Sequence, residues 1–200
     1  MGTTCNVVVL ISGSGSNLQA LIDSQHEGNP ARIRAVIANR ADAFGLTRAK
    51  GAGIPTAVLD HKAFDGREAF DAALMELIDA HAPDLVILAG FMRILTPGFV
   101  EGWRGRMLNI HPSLLPRHGG RGMYGDRVHE SVLASGDTES GATVHLVTAG
   151  IDEGPEHDRC RGDPHRSDLP GARDLAAVRP RLVHSADRAR DSGDLCRAAR

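Results

Sequence analysis

Aromatic residues are nearly missing from this chain: one tryptophan, one tyrosine and five phenylalanines in 200 residues. The 42% hydrophobic fraction that could build a core is therefore mostly aliphatic. Cysteine is also scarce. Cys5, Cys160 and Cys196 form an odd, scattered set without metal-type spacing, so the expectation is a reducing cytoplasm and no metal. The formal net charge of −2 gives no reason to expect nucleic acid or an anionic membrane as a partner. A long apolar run is lacking too: the opening MGTTCNVVVLISGSGS is too short for a membrane span and has no basic flank, so it is expected to be neither a span nor a signal peptide. Met1-Gly2 invites a myristoylation reading, but an early buried strand explains these residues better. No repeat period is visible, and the length suits one domain, with or without an appendage.

What the chain does contain is alternation of strand and helix patterns. NVVVLIS (6–12), RIRAVIAN (32–39), TAVLD (56–60) and DLVILAG (84–90) are short apolar runs, the first and last continuous enough for strands buried on both faces. Helical patterns follow them: NLQALIDSQ after the first, 41–53 after the second, and a long amphipathic stretch over 66–82. MLNIH (107–111) and GATVHLVT (141–148) read as further strands flanking a helix at 126–136. Such alternation predicts a parallel sheet covered on both sides.

Composition changes abruptly at Gly154-Pro155. Residues 155–200 hold ten arginines, seven aspartates and one glutamate, with no Ile, Phe, Met, Tyr, Trp, Lys, Thr, Asn or Gln. Four leucines and two valines offer little apolar surface against the entropy of ordering. The expected division is a body over 1–154 and a dissimilar tail over 155–200.

Three stretches carry chemistry. SGSGSN (12–17) falls between the first strand and first helix, where glycines let backbone amides approach an anion and the helix terminus adds partial positive charge. It is neither a full G-x-G-x-x-G fingerprint nor a P-loop, and an ordinary βα turn is the plain alternative. AGFMRIL (89–95) follows the fourth strand at its C-terminal end, the edge where open α/β sheets bind ligands. NIHPSLLP (109–116) spaces Asn109, His111 and Ser113 by single residues, so an extended backbone points all three to one face. Pro112 and Pro116 then stiffen the turn. A lone histidine is more often structural, but His145 and Asp152 stand on elements that could reach His111, and a histidine beside a carboxylate is a normal acid–base pair.

In this order, GSGSNLQAL, AGFMRIL, NIHPSLLP and TVHLV followed by DEGP resemble the phosphoribosylglycinamide formyltransferases, from about residue 6 to 155. The resemblance implies an α/β, Rossmann-like formyltransferase fold, a mostly parallel sheet with helices on both faces, whereas the composition of the tail predicts an irregular or poorly ordered C-terminal segment. It implies transfer of a formyl group from 10-formyltetrahydrofolate, as co-substrate, to the amine of glycinamide ribonucleotide in purine biosynthesis. Its catalytic trio matches Asn109, His111 and Asp152. The substrate phosphate loop matches Gly15, Ser16 and Asn17. Folate contacts match Arg67, Met92, Arg93, Ile94, Leu95, Asn109, Thr148 and Asp152, within a loop over 148–152. The bond matching Leu115-Pro116 is cis in the family. The implied partners are small molecules, with no nucleic acid and no membrane, in a cytoplasmic protein for which a homodimer is left open.

After DEGP the family continues with an apolar strand and a helix bearing a Glu-His pair, and neither pattern is present in GPEHDRCRGDPHRSDLPGARDLAAVRPRL. An Arg-, Ala-, Asp- and Gly-rich tail is what a GC-rich gene yields out of frame, so the expected origin is a frameshift near 155, with a natural disordered tail as the alternative. With no apolar strand to follow, the sheet edge along 141–148 is expected to be bare, and a short helix is expected around 172–178. Two relatives share the formyl-transfer core. Methionyl-tRNA formyltransferase carries a basic C-terminal domain, which the eight acids of the tail do not suit. Formyltetrahydrofolate deformylase carries an N-terminal regulatory domain, for which five residues before the first strand leave no room. A non-catalytic nucleotide-binding module would keep the glycine loop without needing Asn109, His111 and Asp152 together.

Overall fold

The computed structural model describes residues 4–26 and 29–162. Seven strands form one sheet: β1 (Cys5–Ile11), β2 (Ala31–Ala38), β3 (Thr56–Val58), β4 (Leu85–Leu88), β5 (Met107–His111), β6 (Ser140–Leu146) and β7 (Glu156–Gly162). Their order is β3-β2-β1-β4-β5-β6-β7. The first five run parallel, and β6 and β7 are antiparallel to their neighbours.

β1 is central because almost every side chain in it is apolar, and Val7 through Ile11 are buried. Period-two alternation sends its residues to opposite faces. Val8 and Leu10 join Phe70, Leu74 and Ile78 of α3 (Arg67–Asp79) and Phe99 and Val100 of α4 (Pro97–Gly102). Val7, Val9 and Ile11 join Leu18 of α1 (Ser16–Asp23) and Leu46 and Ala49 of α2 (Gly45–Gly51). Fully burying such side chains stabilises by about 1.5–3 kcal/mol each. A fifth helix, α5 (Asp126–Ala134), seals Val128 and Val132 beneath its inner face. The mostly parallel α/β arrangement with helices on both faces is the one expected.

Two features depart from the sequence expectations. α4 was not anticipated; Thr96 caps it, its Oγ1 accepting from the Phe99 N–H at 3.3 Å, and Pro97 opens it. The edge along 141–148 is not bare either, which corrects that expectation. β7 pairs with β6 from Ser140↔Gly162 to His145↔Glu156. A ladder is made of backbone groups that every residue but proline carries, so a polar sequence can supply an edge strand. The helix expected around 172–178 lies outside the described residues.

Candidate functional site

The chain leaves β1 for β2 and β3 on one side, whereas β4 and β5 lie on the other. The direction of winding therefore reverses between β1 and β4, and ligands of open α/β sheets bind outside the carboxyl ends of strands at such a point. A cavity of about 690 Å³ opens there, within the usual range for small-molecule sites. Its walls come from residues 12–17, 88–95, 109–112, 120–126 and 147–152, together with Arg40, His129 and His145.

At one end stands the glycine loop. Gly15 caps α1 in the left-handed conformation, φ 70°, and no side chain caps the first-turn amides. A Cβ on Gly15 would lie 2.6 Å from the Gly45 Cα, so only glycine fits this approach of loop to α2. The Gly45 N–H donates to the Gly13 carbonyl at 3.1 Å, and Arg48 Nε donates to the Ser14 carbonyl at 2.9 Å. The loop is thus held from outside, with its amides at a helix N-terminus, suited to an anion. Ser12 fastens it to the neighbouring loop: its Oγ accepts from the Met92 N–H at 2.8 Å and donates to Asn39 Oδ1 at 2.6 Å.

At the other end β5 delivers Asn109 and His111 to one face, two residues apart. The antiparallel register places His145 directly across from Asn109, and Thr143 across from His111. Asn109 Nδ2 lies 3.1 Å from His145 Nε2. His145 Nδ1 lies 3.1 Å from the Leu146 carbonyl, which can only accept, so the proton sits on Nδ1 and Nε2 accepts from Asn109. Asp152 arrives from the loop between β6 and β7, with φ 58°, a region aspartate enters more readily than most residues. Gly154 lets that loop close: a Cβ there would lie 1.7 Å from the Leu146 carbonyl oxygen.

Asp152 joins the two histidines. Its Oδ2 is 3.5 Å from His111 Nδ1, and its Oδ1 is 3.6 Å from His145 Nε2. Oδ2 also accepts from the Gly120 N–H at 2.9 Å. Burial acts to raise this carboxyl's pKa. The adjoining His145 and His111 rings and the Gly120 N–H outweigh it and hold the pKa below the usual aspartate value. His111, 3% exposed, directs Nε2 at the His118 carbonyl, 3.0 Å away.

Asn109, His111 and Asp152 therefore meet at the cavity, as do Gly15, Ser16 and Asn17 at its far end. Met92, Arg93, Ile94, Leu95 and Thr148 line it as well, with Met92 and Ile94 half exposed. Arg67 does not: it is exposed at the start of α3, outside the cavity lining. Ser113, expected on the face of Asn109 and His111, is buried in the turn, its Oγ donating to the Arg117 carbonyl at 2.7 Å. Leu115-Pro116 is cis, as the resemblance implied. Sequence reasoning missed Arg40 and Gly120. Arg40 could have been suspected from the cation following the second strand; Gly120 acts through its backbone and left no signal.

The model of the formyl transferase family, described as "Formyl transferase", matches residues 5–157. Phosphoribosylglycinamide formyltransferase of Escherichia coli K12 is 54% identical over 151 residues, 75% of this chain and 69% of that protein. The trifunctional purine biosynthetic protein adenosine-3 of Homo sapiens is 51% identical over 149 residues, 74% of this chain but 14% of that protein. Among solved structures, glycinamide ribonucleotide transformylase 1 from Symbiobacterium toebii superposes with a TM-score of 0.78 at 40% identity, covering 98% of this chain and 88% of that one.

Proposed function

This chain belongs to the formyl transferase family, and on that footing we propose that it transfers the formyl group of 10-formyltetrahydrofolate to the amine of glycinamide ribonucleotide in purine biosynthesis. The observation that carries the reading is one cavity with an anion-suited glycine loop at one end and the Asn109–His111–Asp152 network at the other. The ribonucleotide's phosphate belongs at Gly15, Ser16 and Asn17. The folate belongs along Met92 to Leu95 and Thr148, whose apolar surfaces suit a flat heterocycle, and Arg67 can meet only its solvent-exposed end. The catalytic unit is assigned to residues 1–154.

Attack of the neutral amine on the formyl carbon gives a tetrahedral intermediate with an oxyanion. An amide NH₂ has two donors, and Asn109 spends one on His145, leaving the other for that oxygen. Protonated His111 donates to it from Nδ1, the nitrogen facing Asp152. Loss of one such donor typically costs about 3–4 kcal/mol in the barrier. Asp152 holds His111 in orientation and takes up, directly or through water, the proton released by the amine. Return of that proton to the departing folate nitrogen completes the transfer. No helix among the described residues is long and apolar enough to cross a membrane; the proposal places the reaction in the cytoplasm.

The purified chain should convert 10-formyltetrahydrofolate to tetrahydrofolate only when glycinamide ribonucleotide is present, followed by absorbance. Release of formate at the same rate without the ribonucleotide would make it a hydrolase, and formylation of methionyl-tRNA would make it that relative instead.

A further inference from the structure

Directly behind His111 lies a second polar cluster that contributes nothing to the cavity wall. His118 stands in the loop after β5 with φ 54°, a conformation that a residue with a side chain keeps only when its surroundings impose it. Its ring is gripped at both nitrogens. Nδ1 lies 2.8 Å from Ser131 Oγ on α5, and Nε2 lies 2.8 Å from Asp137 Oδ2. The His118 and Asp137 side chains are 11% and 8% exposed, and Asp137 is also paired with Arg117. The hydrogen bond from His118, opposed by burial and aided by Arg117, holds the Asp137 carboxyl below its usual pKa. An ionised carboxylate only accepts, so His118 Nε2 carries its proton.

Fixing the ring fixes the peptide that follows. The His118 carbonyl accepts from His111 Nε2 at 3.0 Å, with Ser113 Oγ 3.5 Å away. A carbonyl cannot donate, so it selects the His111 form protonated on Nε2 and turns Nδ1 toward Asp152, 3.5 Å away. Resting on the formyl-transfer reading above, we propose that His118, clamped by Asp137 and Ser131, is a positioning residue that sets the tautomer and ring orientation of His111 through its own backbone carbonyl. The catalytic groups remain Asn109, His111 and Asp152.

The test compares His118→Asn, His118→Val, Asp137→Ala and Asp137→Asn in the full chain. Asparagine tolerates the left-handed backbone, whereas valine does not. His118→Val and Asp137→Ala should lower kcat by about tenfold to a hundredfold with both KM values within about twofold, the signature of a misplaced catalytic group. His118→Asn should stay within about threefold of the parent in kcat. Nitrogen-15 NMR of histidine-labelled protein gives a readout that does not require turnover. His111 should be protonated on Nε2 in the parent and a mixture of tautomers in His118→Val. Parental kcat and an unchanged Nε2 signature in His118→Val would overturn the proposal, as would equal loss in His118→Asn and His118→Val. Should His118→Val fail to fold, Asp137→Asn, which keeps size and removes charge, takes its place with the same expected redistribution. A parent without formyl transfer would sink the functional reading alone, and the NMR comparison would still decide this one.

Discussion

Replacing Gly15 by alanine perturbs the anion loop at one atom. At φ 70° an L side chain costs about 1–2 kcal/mol. The added Cβ would stand 2.6 Å from the Gly45 Cα and 3.4 Å from its nitrogen, both backbone atoms that cannot rotate away. Relieving such overpacking costs about 1–3 kcal/mol, so the total strain is about 2–5 kcal/mol. That strain divides between two observables. A loop that stays in place puts it all into stability, and Tm falls by about 4–20 °C for a chain of this size. A loop that moves withdraws its amides from the phosphate, and the KM for glycinamide ribonucleotide rises about tenfold for each 1.4 kcal/mol relieved that way. Steady-state kinetics for each substrate, together with a thermal melt, read both parts. The expected result is a lower Tm with at least about a tenfold rise in ribonucleotide KM and a folate KM within about twofold. A rise confined to folate would mean that the two ends of the cavity have been exchanged. Parental Tm and parental KM together would refute the packing argument itself.

The Asp152 pKa lies below its ordinary value, so its interactions stabilise the fold above about pH 4 and fade as pH falls through the depressed value. Asp152→Asn should therefore lower the urea midpoint at pH 7, and the gap from the parent should close on acidification; a gap independent of pH contradicts this. Arg67→Ala should raise the folate KM by less than about fivefold, because an exposed ion pair is worth only about 0.2–1 kcal/mol. A larger rise would put Arg67 inside the enclosed site. Backbone amides of 156–162 that face β6 should exchange with solvent more slowly than in a free peptide, and free-peptide rates there would dismiss the β6–β7 ladder.

The sheet was legible where burial leaves a compositional trace. VVVLI in β1 and LVIL in β4 read as strands because both faces are covered, and helix periodicity located α3 through Phe70, Leu74 and Ile78. β7 left no such trace, since EHDRCRG is a polar run without strand-like apolar alternation, and its pairing with β6 is a ladder of backbone groups. α4 was readable in principle: Thr96 and Pro97 are a cap and a first-turn proline, hidden by a helix of only six residues. At the site, two-residue spacing put Asn109 and His111 on one face, but nothing local says that antiparallel register brings His145 opposite Asn109. The clasp between His118 and His111 needs a left-handed backbone at a non-glycine residue, which composition does not announce. Arg67 came from motif matching alone, and it is the one expected contact the fold leaves outside the cavity.

The central claim is that His111 and Asp152 act on charge that develops only during formyl transfer. The direct measurement is the single-turnover rate of formyl transfer to glycinamide ribonucleotide, with both substrates saturating, for the parent, His111→Ala and Asp152→Asn, beside the folate Kd of each. Both variants should lose about a hundredfold or more in rate while binding folate within a few-fold of the parent. A near-parental rate in either variant would remove that residue from the chemistry, and a loss matched by an equal loss of folate binding would make the network a binding site and nothing more.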